Sequence, residues 1–278
     1  MQLLLGSVAK NMLEAEIAER LAAIRARGER VRIALFRVGA RGDDCRYERT
    51  ILKASERLGI DAEQNVFDDD VTEEALYAAL RGAAQRPDVD GILVFRPLPK
   101  SLASERVRTA VPPEKDIDGA LLEDSDFTPC TAEACMHLLR AYGISSAGRP
   151  CVVIGRSPVV GKPLAALLRK AGADVTVCHS QTVDVPAETR RAELLFVACG
   201  KPRMVDKSYL APGQTVIDVG FHPTEDGVCG DVNAADAEAA AAAYTPVPGG
   251  VGAVTLPVLL LHATKAHEKN HPIGEENK

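Results

Sequence analysis

The sequence predicts an α/β fold of two domains, each built on a parallel sheet, on the strength of three observations. Short apolar runs alternate with amphipathic stretches of helical period, the pattern of strand–helix–strand units. The pattern restarts after a Gly- and Ser-rich connection, "AYGISSAGRP", at 141–150. A chain of 278 residues is long for one core, and about two domains is the ordinary division.

The elements follow in order. "LEAEIAERLAAIRARG" (13–28) spaces apolar residues three and four apart and ends in glycine, predicting a helix. "VRIALFRVG" (31–39) reads as a buried strand, and a helix over roughly 45–58 is stopped by "LGI". "VTEEALYAALRGAAQ" (71–85) is a helix opened by acidic residues, and "VDGILVFRPLP" (89–99) is a strand entering a proline-rich loop. After the restart come "CVVIG" (strand), "GKPLAALLRKAG" (helix), and the strands "DVTVCHS", "AELLFVACG" and "QTVIDVG". "DAEAAAAAY" reads as a plain surface helix, and "AVTLPVLLLHATKAHEK" as a long helix able to pack back on the first domain. The expected division is 1–140, with the C-terminal helix 252–268 returning to it, then 141–251, and a flexible tail at 269–278.

Composition narrows the function classes. A formal net charge of -6 speaks against a nucleic-acid binder, whose phosphate contacts call for a basic face. No apolar run approaches the roughly 20 residues of a membrane span, and "MQLLLGSVAK" lacks a signal-peptide pattern, so the expected setting is cytoplasmic. The seven cysteines are spread without a C-x-x-C pair and read as reduced thiols. The six histidines show no ligand spacing, so no metal is expected.

"CVVIGRSPVVGKP" is the strongest local signal. A strand ends at Gly155, and Gly161 opens a helix whose unpaired N–H groups could hold a pyrophosphate. The spacing Gly155-x-Ser157-x-x-x-Gly161 departs from G-x-G-x-x-G, and alone it describes a tight strand-to-helix turn equally well. The next strand ends in His179 and Ser180, 18 and 19 residues after Gly161, where an NAD enzyme would carry an acid for the ribose 2′-hydroxyl. With no carboxylate there, Arg156 and Ser180 suit a 2′-phosphate, so NADP is favoured over NAD. A second glycine cluster, Gly249, Gly250 and Gly252, permits close backbone approach to a flat ring. The expected cofactor residues are Gly155, Arg156, Ser157, Val160, Gly161, His179, Ser180, Cys199, Gly200, Gly220 and Gly249.

Four segments together resemble the methylenetetrahydrofolate dehydrogenase/cyclohydrolases of one-carbon metabolism: Tyr47 to Ile60, "DGILVFRPLP", "PPEKDIDG", and the pair "VVIGRSPVVGKP" and "TPVPGGVG". The resemblance runs from the first helix to about residue 268. It implies an N-terminal α/β folate domain, a Rossmann-like NAD(P)-binding domain, folate bound between them, and a homodimer. Tyr47 matches the tyrosine that flanks the folate ring, and Asp118 matches the pterin-binding aspartate. A carboxylate suits that role because a pterin presents an N–H and an amino group side by side. Phe95, Arg96, Pro97 and Leu98 occupy the family's substrate-side strand motif, and Gly249, Gly250 and Thr255 match the segment near nicotinamide and substrate.

Two departures bear on chemistry. The family's motif has a lysine four residues after the tyrosine, on the same helix face, and here that position is Ile51. Lys53 lies about 200° around the helix and does not replace it. Where the family reads Gln-Leu in its strand motif, this chain has Phe95 and Arg96, so Ile51 and Phe95 replace two polar neighbours of the family's site. Hydride transfer moves no proton through a side chain, whereas hydrolysis of the methenyl product needs an activated water. The expectation is therefore an NADP-dependent dehydrogenase, with Tyr47, Asp118 and Ile51 at the reacting centre and weak or absent cyclohydrolase activity. The alternatives are a fully bifunctional enzyme in which Tyr47, Arg96 or Glu48 activates water, a non-catalytic folate or nucleotide binder, and another NADP dehydrogenase of shikimate or amino-acid type.

Overall fold

The computed structural model describes residues 1–225 and 227–272. A two-residue strand, β1 (Gln2–Leu3), precedes the long helix α1 (Gly6–Ala26). Then come β2 (Arg32–Val38), α2 (Gly42–Leu58), β3 (Asp61–Phe67), α3 (Glu73–Gln85), β4 (Gly91–Val94) and a short α4 (Glu105–Arg108). The remainder is α5 (Cys130–Ala141), β5 (Pro150–Ile154), α6 (Gly161–Lys170), β6 (Asp174–Cys178), α7 (Val185–Arg190), β7 (Leu194–Val197), β8 (Thr215–Asp218), a hairpin of β9 (His222–Thr224) with β10 (Gly227–Cys229), α8 (Ala234–Ala240), β11 (Ala243–Tyr244) and α9 (Thr255–Asn270).

The chain divides into two units. One comprises Met1–Leu13 and Pro129–Val258, the other Glu14–Thr128 and Leu259–Lys278. This differs from the expected break at 140/141. α5 packs on α6, and β1 pairs with β11, so both the first residues and α5 belong to the nucleotide-side unit. α9 passes from one unit into the other after Val258.

The first unit holds a six-stranded, all-parallel sheet in the order β1-β11-β8-β7-β5-β6. β5, β7 and β8 are buried almost throughout, as expected of strands covered on both faces. The strand order reverses between β5 and β7, and ligands of such sheets bind at the carboxyl ends of the strands at that point.

The second unit holds a three-stranded parallel sheet, β3-β2-β4. β2 is central and buried; β3 lies at the edge and alternates half-buried with exposed positions. Phe36, Leu76, Leu80, Val89, Ile92 and Val107 form part of the core between this sheet, α3 and α4.

Local chemistry explains several boundaries. Gly59, at φ 74°, ends α2 by returning its N–H to the Ser55 and Glu56 carbonyls. Thr72 caps α3 by accepting from the Ala75 N–H. "DAEAAAAAY" splits: α8 stops at Ala240, Ala237 is buried, and Ala243–Tyr244 form a strand in place of a continued surface helix. The tail expected at 269–278 begins in α9, which continues through Asn270; 273–278 lie outside the described residues.

Candidate active site

The nucleotide side is built from the carboxyl ends of the parallel strands. At the end of β5 the N–H of Gly155 donates to the Cys178 carbonyl (2.8 Å), and Gly155 sits at φ 116°. A Cβ there would lie 2.1 Å from the Ala198 carbonyl oxygen, and one on Gly161 would lie 2.2 Å from the Gly155 carbonyl oxygen. Both positions therefore require glycine, and the bare backbone they leave is the close-approach surface a pyrophosphate needs.

One expectation is corrected. The N–H groups at the start of α6 are not unpaired: Ser157 Oγ accepts from Val160 N (3.1 Å) and Gly161 N (3.4 Å), and the Ser157 carbonyl accepts from Lys162 N (3.0 Å). Pro163 has no N–H, and Leu164 N donates to the Val160 carbonyl. Ser157 thus shapes the turn as a cap, and a phosphate would meet its hydroxyl in place of free helix donors.

Arg156 and Ser180 are exposed, and Arg156 Nη2 donates to Gln181 Oε1 (3.3 Å). His179 Nδ1 accepts from Gln181 N, and His179 N donates to Thr182 Oγ1. The ends of β5 and β6 therefore offer a cation and a hydroxyl, with Gln181 as a residue absent from the sequence expectation. This donor set fits a 2′-phosphate, which is dianionic and accepts from each of them.

Cys199 and Gly200, at the end of β7, both donate backbone N–H bonds to Asp231 Oδ2 (2.8 and 2.9 Å), and His222 Nε2 lies 2.7 Å from Asp231 Oδ1. Gly220 N donates to Asp218 Oδ1 (2.9 Å), which also accepts from Asp231 N. Asp218 and Asp231 are buried carboxylates that fix the loops carrying three expected cofactor glycines and cysteines; "VIDVG" and "CGDVN" were their only trace in the sequence. Burial pushes the Asp218 carboxyl up to about 6 and the Cys199 thiol up to about 12, so Cys199 is an inert thiol there. Gly249 (φ 104°) and Gly250 are tied to the chain's start: Gly6 N donates to the Gly249 carbonyl (2.8 Å), and Gly250 leaves no room for a Cβ beside the Pro246 carbonyl. Thr255 opens α9 and its hydroxyl donates to the Gly252 carbonyl.

In the second unit, α2 buries a stripe of Asp44, Glu48, Ile51 and Ser55. Ile51 has 0% exposure and is a core side chain. Tyr47, one position before Glu48, is 37% exposed and meets the buried Phe95 ring edge-to-face, with centroids 6.1 Å apart. Lys53 is exposed.

Charged pairs organise this helix, and of their members only Glu48 was named from the sequence. Arg37, inside β2, donates from Nε to Glu48 Oε2 (3.0 Å) and from Nη1 to the Gly39 carbonyl. Glu48 Oε1 is buried and has no hydrogen-bond partner among the described residues. Arg41 grips Asp44 through two bonds (2.8 and 2.7 Å) and donates to the Arg96 carbonyl (2.9 Å), holding the loop after β4. The signal was an arginine inside the apolar run "IALFRVG".

Arg96 and Pro97 are exposed, and with Leu98 they line a cavity of about 500 Å³ together with Val107, Arg108 and Asp116. Tyr47, Phe95 and Asp118 are not among its lining. Asp118 is half-buried in a turn held on both sides: Asp116 bridges to Ile92, and the Ile117 carbonyl faces His262 Nδ1 at 2.8 Å.

The all-parallel sheet and the glycine turn at its switch point define the class of dinucleotide-binding α/β folds. Two family models then match: "Tetrahydrofolate dehydrogenase/cyclohydrolase, catalytic domain" over residues 4–118, ending at Asp118, and its "NAD(P)-binding domain" over 129–271. The chain belongs to the tetrahydrofolate dehydrogenase/cyclohydrolase family. It is 39% identical to the bifunctional protein FolD of Carboxydothermus hydrogenoformans, covering 95% of this chain and 96% of that one, and 40% identical to that of Bordetella avium, again at 95% and 96%. Among solved structures it resembles the Campylobacter jejuni bifunctional FolD (TM-score 0.91, 32% identity, covering 97% and 99%) and the Trypanosoma brucei enzyme complexed with NADP cofactor and inhibitor (TM-score 0.90, 31%, 98% and 98%). No described helix is long and apolar enough to cross a membrane.

Proposed function

We propose that this chain oxidises methylenetetrahydrofolate with NADP and hydrolyses the methenyl product, as a homodimer. The expectation of weak hydrolysis gains nothing from the relatives, which are named bifunctional at 38–40% identity over nearly the whole chain. The observation that carries the bifunctional reading is Glu48 Oε1, a buried carboxylate oxygen without a hydrogen bond, one helical turn before Ile51.

NADP supplies the hydride acceptor. The protein's own part is to hold folate and nucleotide so that the reacting carbons touch, and to exclude water while the iminium cation forms. In this proposal Asp118 accepts the fork of N–H donors on the pterin, and Tyr47, steadied by Phe95, flanks the ring. Hydrolysis then needs a base for water, and Glu48 is the candidate because its second oxygen stays held by Arg37 while the first is available to accept. Glu48→Gln keeps the Arg37 contact and removes the base. Dehydrogenation is expected to persist while methenyl hydrolysis falls by about 10²–10⁴-fold, the range of general base catalysis. Following reduced nicotinamide and methenyl absorbance separately checks this, and equal hydrolysis in both proteins would exclude Glu48.

A second reading keeps the dehydrogenase and drops the hydrolase. It is favoured by Ile51 at 0% exposure and the buried Phe95, which leave hydrocarbon at both positions where the family has polar groups. Hydrolysis at the buffer rate by the unmodified protein would select it.

For the nucleotide, Arg156→Ala is expected to weaken NADP binding about 10- to 100-fold while leaving NAD nearly unchanged, the loss of one charge-assisted contact to a phosphate. Titration with both nucleotides checks it; parallel losses would mean that Arg156 does not read the 2′-phosphate.

A further inference from the structure

Away from these residues, on the same unit as β4, the structure gathers Asp90, His267 and His271 so that one ligand atom of each lies within 4.8 Å of the others. His267 and His271 stand four residues apart, and the His271 N–H donates to the His267 carbonyl (2.8 Å), so the helical register of α9 carries through both and brings their rings together. His267 Nδ1 lies 3.0 Å and His271 Nε2 3.3 Å from Asp90 Oδ1. The histidine spacing discounted in the sequence is present as "HEKNH".

We propose that Asp90, His267 and His271 form a site for a borderline divalent cation of the zinc class. Three arguments carry it. First, nitrogen and carboxylate ligands about 2.0–2.2 Å from a tetrahedral zinc stand about 3.3 Å from one another, close to the two separations found. The third edge, between the imidazoles, closes by movement of His271, whose side chain is 35% exposed while His267 and Asp90 are buried.

Second, the supporting contacts are those of a metal site. Asp90 Oδ2 accepts the Arg32 backbone N–H (2.8 Å), which fixes the carboxylate and leaves Oδ1 facing the imidazoles. His267 Nε2 lies 3.0 Å from Glu29 Oε2. A carboxylate on the far ring nitrogen sets the tautomer that leaves Nδ1 to the metal and raises its basicity. Third, two imidazoles and one carboxylate leave a fourth position for water, and this donor set suits zinc over calcium or magnesium, which prefer all-oxygen sites.

The site uses none of the residues assigned to catalysis, so its test is independent of the folate reaction. Metal-stripped, untagged full-length protein is titrated with zinc by calorimetry, and with cobalt by absorption. The expected result is one zinc per chain, a cobalt spectrum with visible tetrahedral bands and no thiolate charge-transfer band, and a higher thermal midpoint with zinc present. His271→Ala, at a half-exposed position, is expected to lose at least 100-fold in affinity, and Glu29→Gln about 10- to 100-fold as a supporting contact. Unchanged circular dichroism and dehydrogenase rates show that both variants are folded. Absence of stoichiometric binding, binding unaltered in His271→Ala, or a thiolate band that assigns the metal to cysteines would each overturn the proposal.

Discussion

Asp118→Ala is expected to lower kcat/KM for methylenetetrahydrofolate on the order of 10³-fold while leaving NADP affinity unchanged, because in the proposed folate site two donors of the pterin would lose a charged acceptor at once. A site built to hydrogen-bond its ligand discriminates strongly against losing the partner, since the buried groups left behind have no water to turn to. The fold itself should tolerate the change. The turn is held by its neighbours, through the bridge from Asp116 to Ile92, the bond from Leu121 N to Asp116 Oδ2 (2.7 Å) and the contact of His262 with the Ile117 carbonyl. Steady-state kinetics with nucleotide titration and a thermal melt separate the cases. A fall in stability that matches the loss of rate would make Asp118 a structural aspartate.

Gly161→Ala is expected to disable the nucleotide side. Its Cβ would fall 2.2 Å from the Gly155 oxygen, 2.6 Å from the Gly155 carbon and 3.0 Å from Arg156 N, all backbone atoms of the turn. The turn must open, which costs about 1–3 kcal/mol as overpacking does and breaks the Ser157 cap on Val160 and Gly161. NADP affinity is expected to drop more than about 100-fold, since a displacement of about 1 Å at a positioning group carries that effect. Gly82→Ala, inside α3, is the control: no described atom lies within 4 Å of its Cβ, and both stability and affinity should hold. Denaturant melts and nucleotide titration of the pair read the result, and equal behaviour of the two variants would remove the turn from the cofactor site.

Periodicity exposed the strands that are buried and the helices that are amphipathic. β2, β5, β7 and β8 were legible because central parallel strands carry mostly apolar runs. β3 was not, because "DAEQNVF" sits at an edge and carries polar residues on half-exposed positions. α5, "CTAEACMHLLRA", was passed over because it follows an irregular stretch without a side-chain cap at Pro129.

The site followed the same division. Glycines were readable, since a backbone that must come close leaves no substitute, and Gly155 and Gly161 are crowded as that reasoning requires. Long-range pairs were not readable: Arg37 with Glu48, Asp231 with Cys199 and Gly200, and Asp90 with His267 join residues that only the sheet brings together. Ser157 shows a local miss, in that a serine expected beside phosphate first closes the turn before α6 by accepting from Val160 N and Gly161 N.

The central claim, hydride transfer from a reduced folate to nicotinamide, is tested most directly by mixing the purified chain with methylenetetrahydrofolate and NADP. Reduced nicotinamide should accumulate in step with folate consumed, faster with NADP than with NAD, and the methenyl product should then decay above its rate in buffer. NADP that binds but is never reduced by this folate would contradict it.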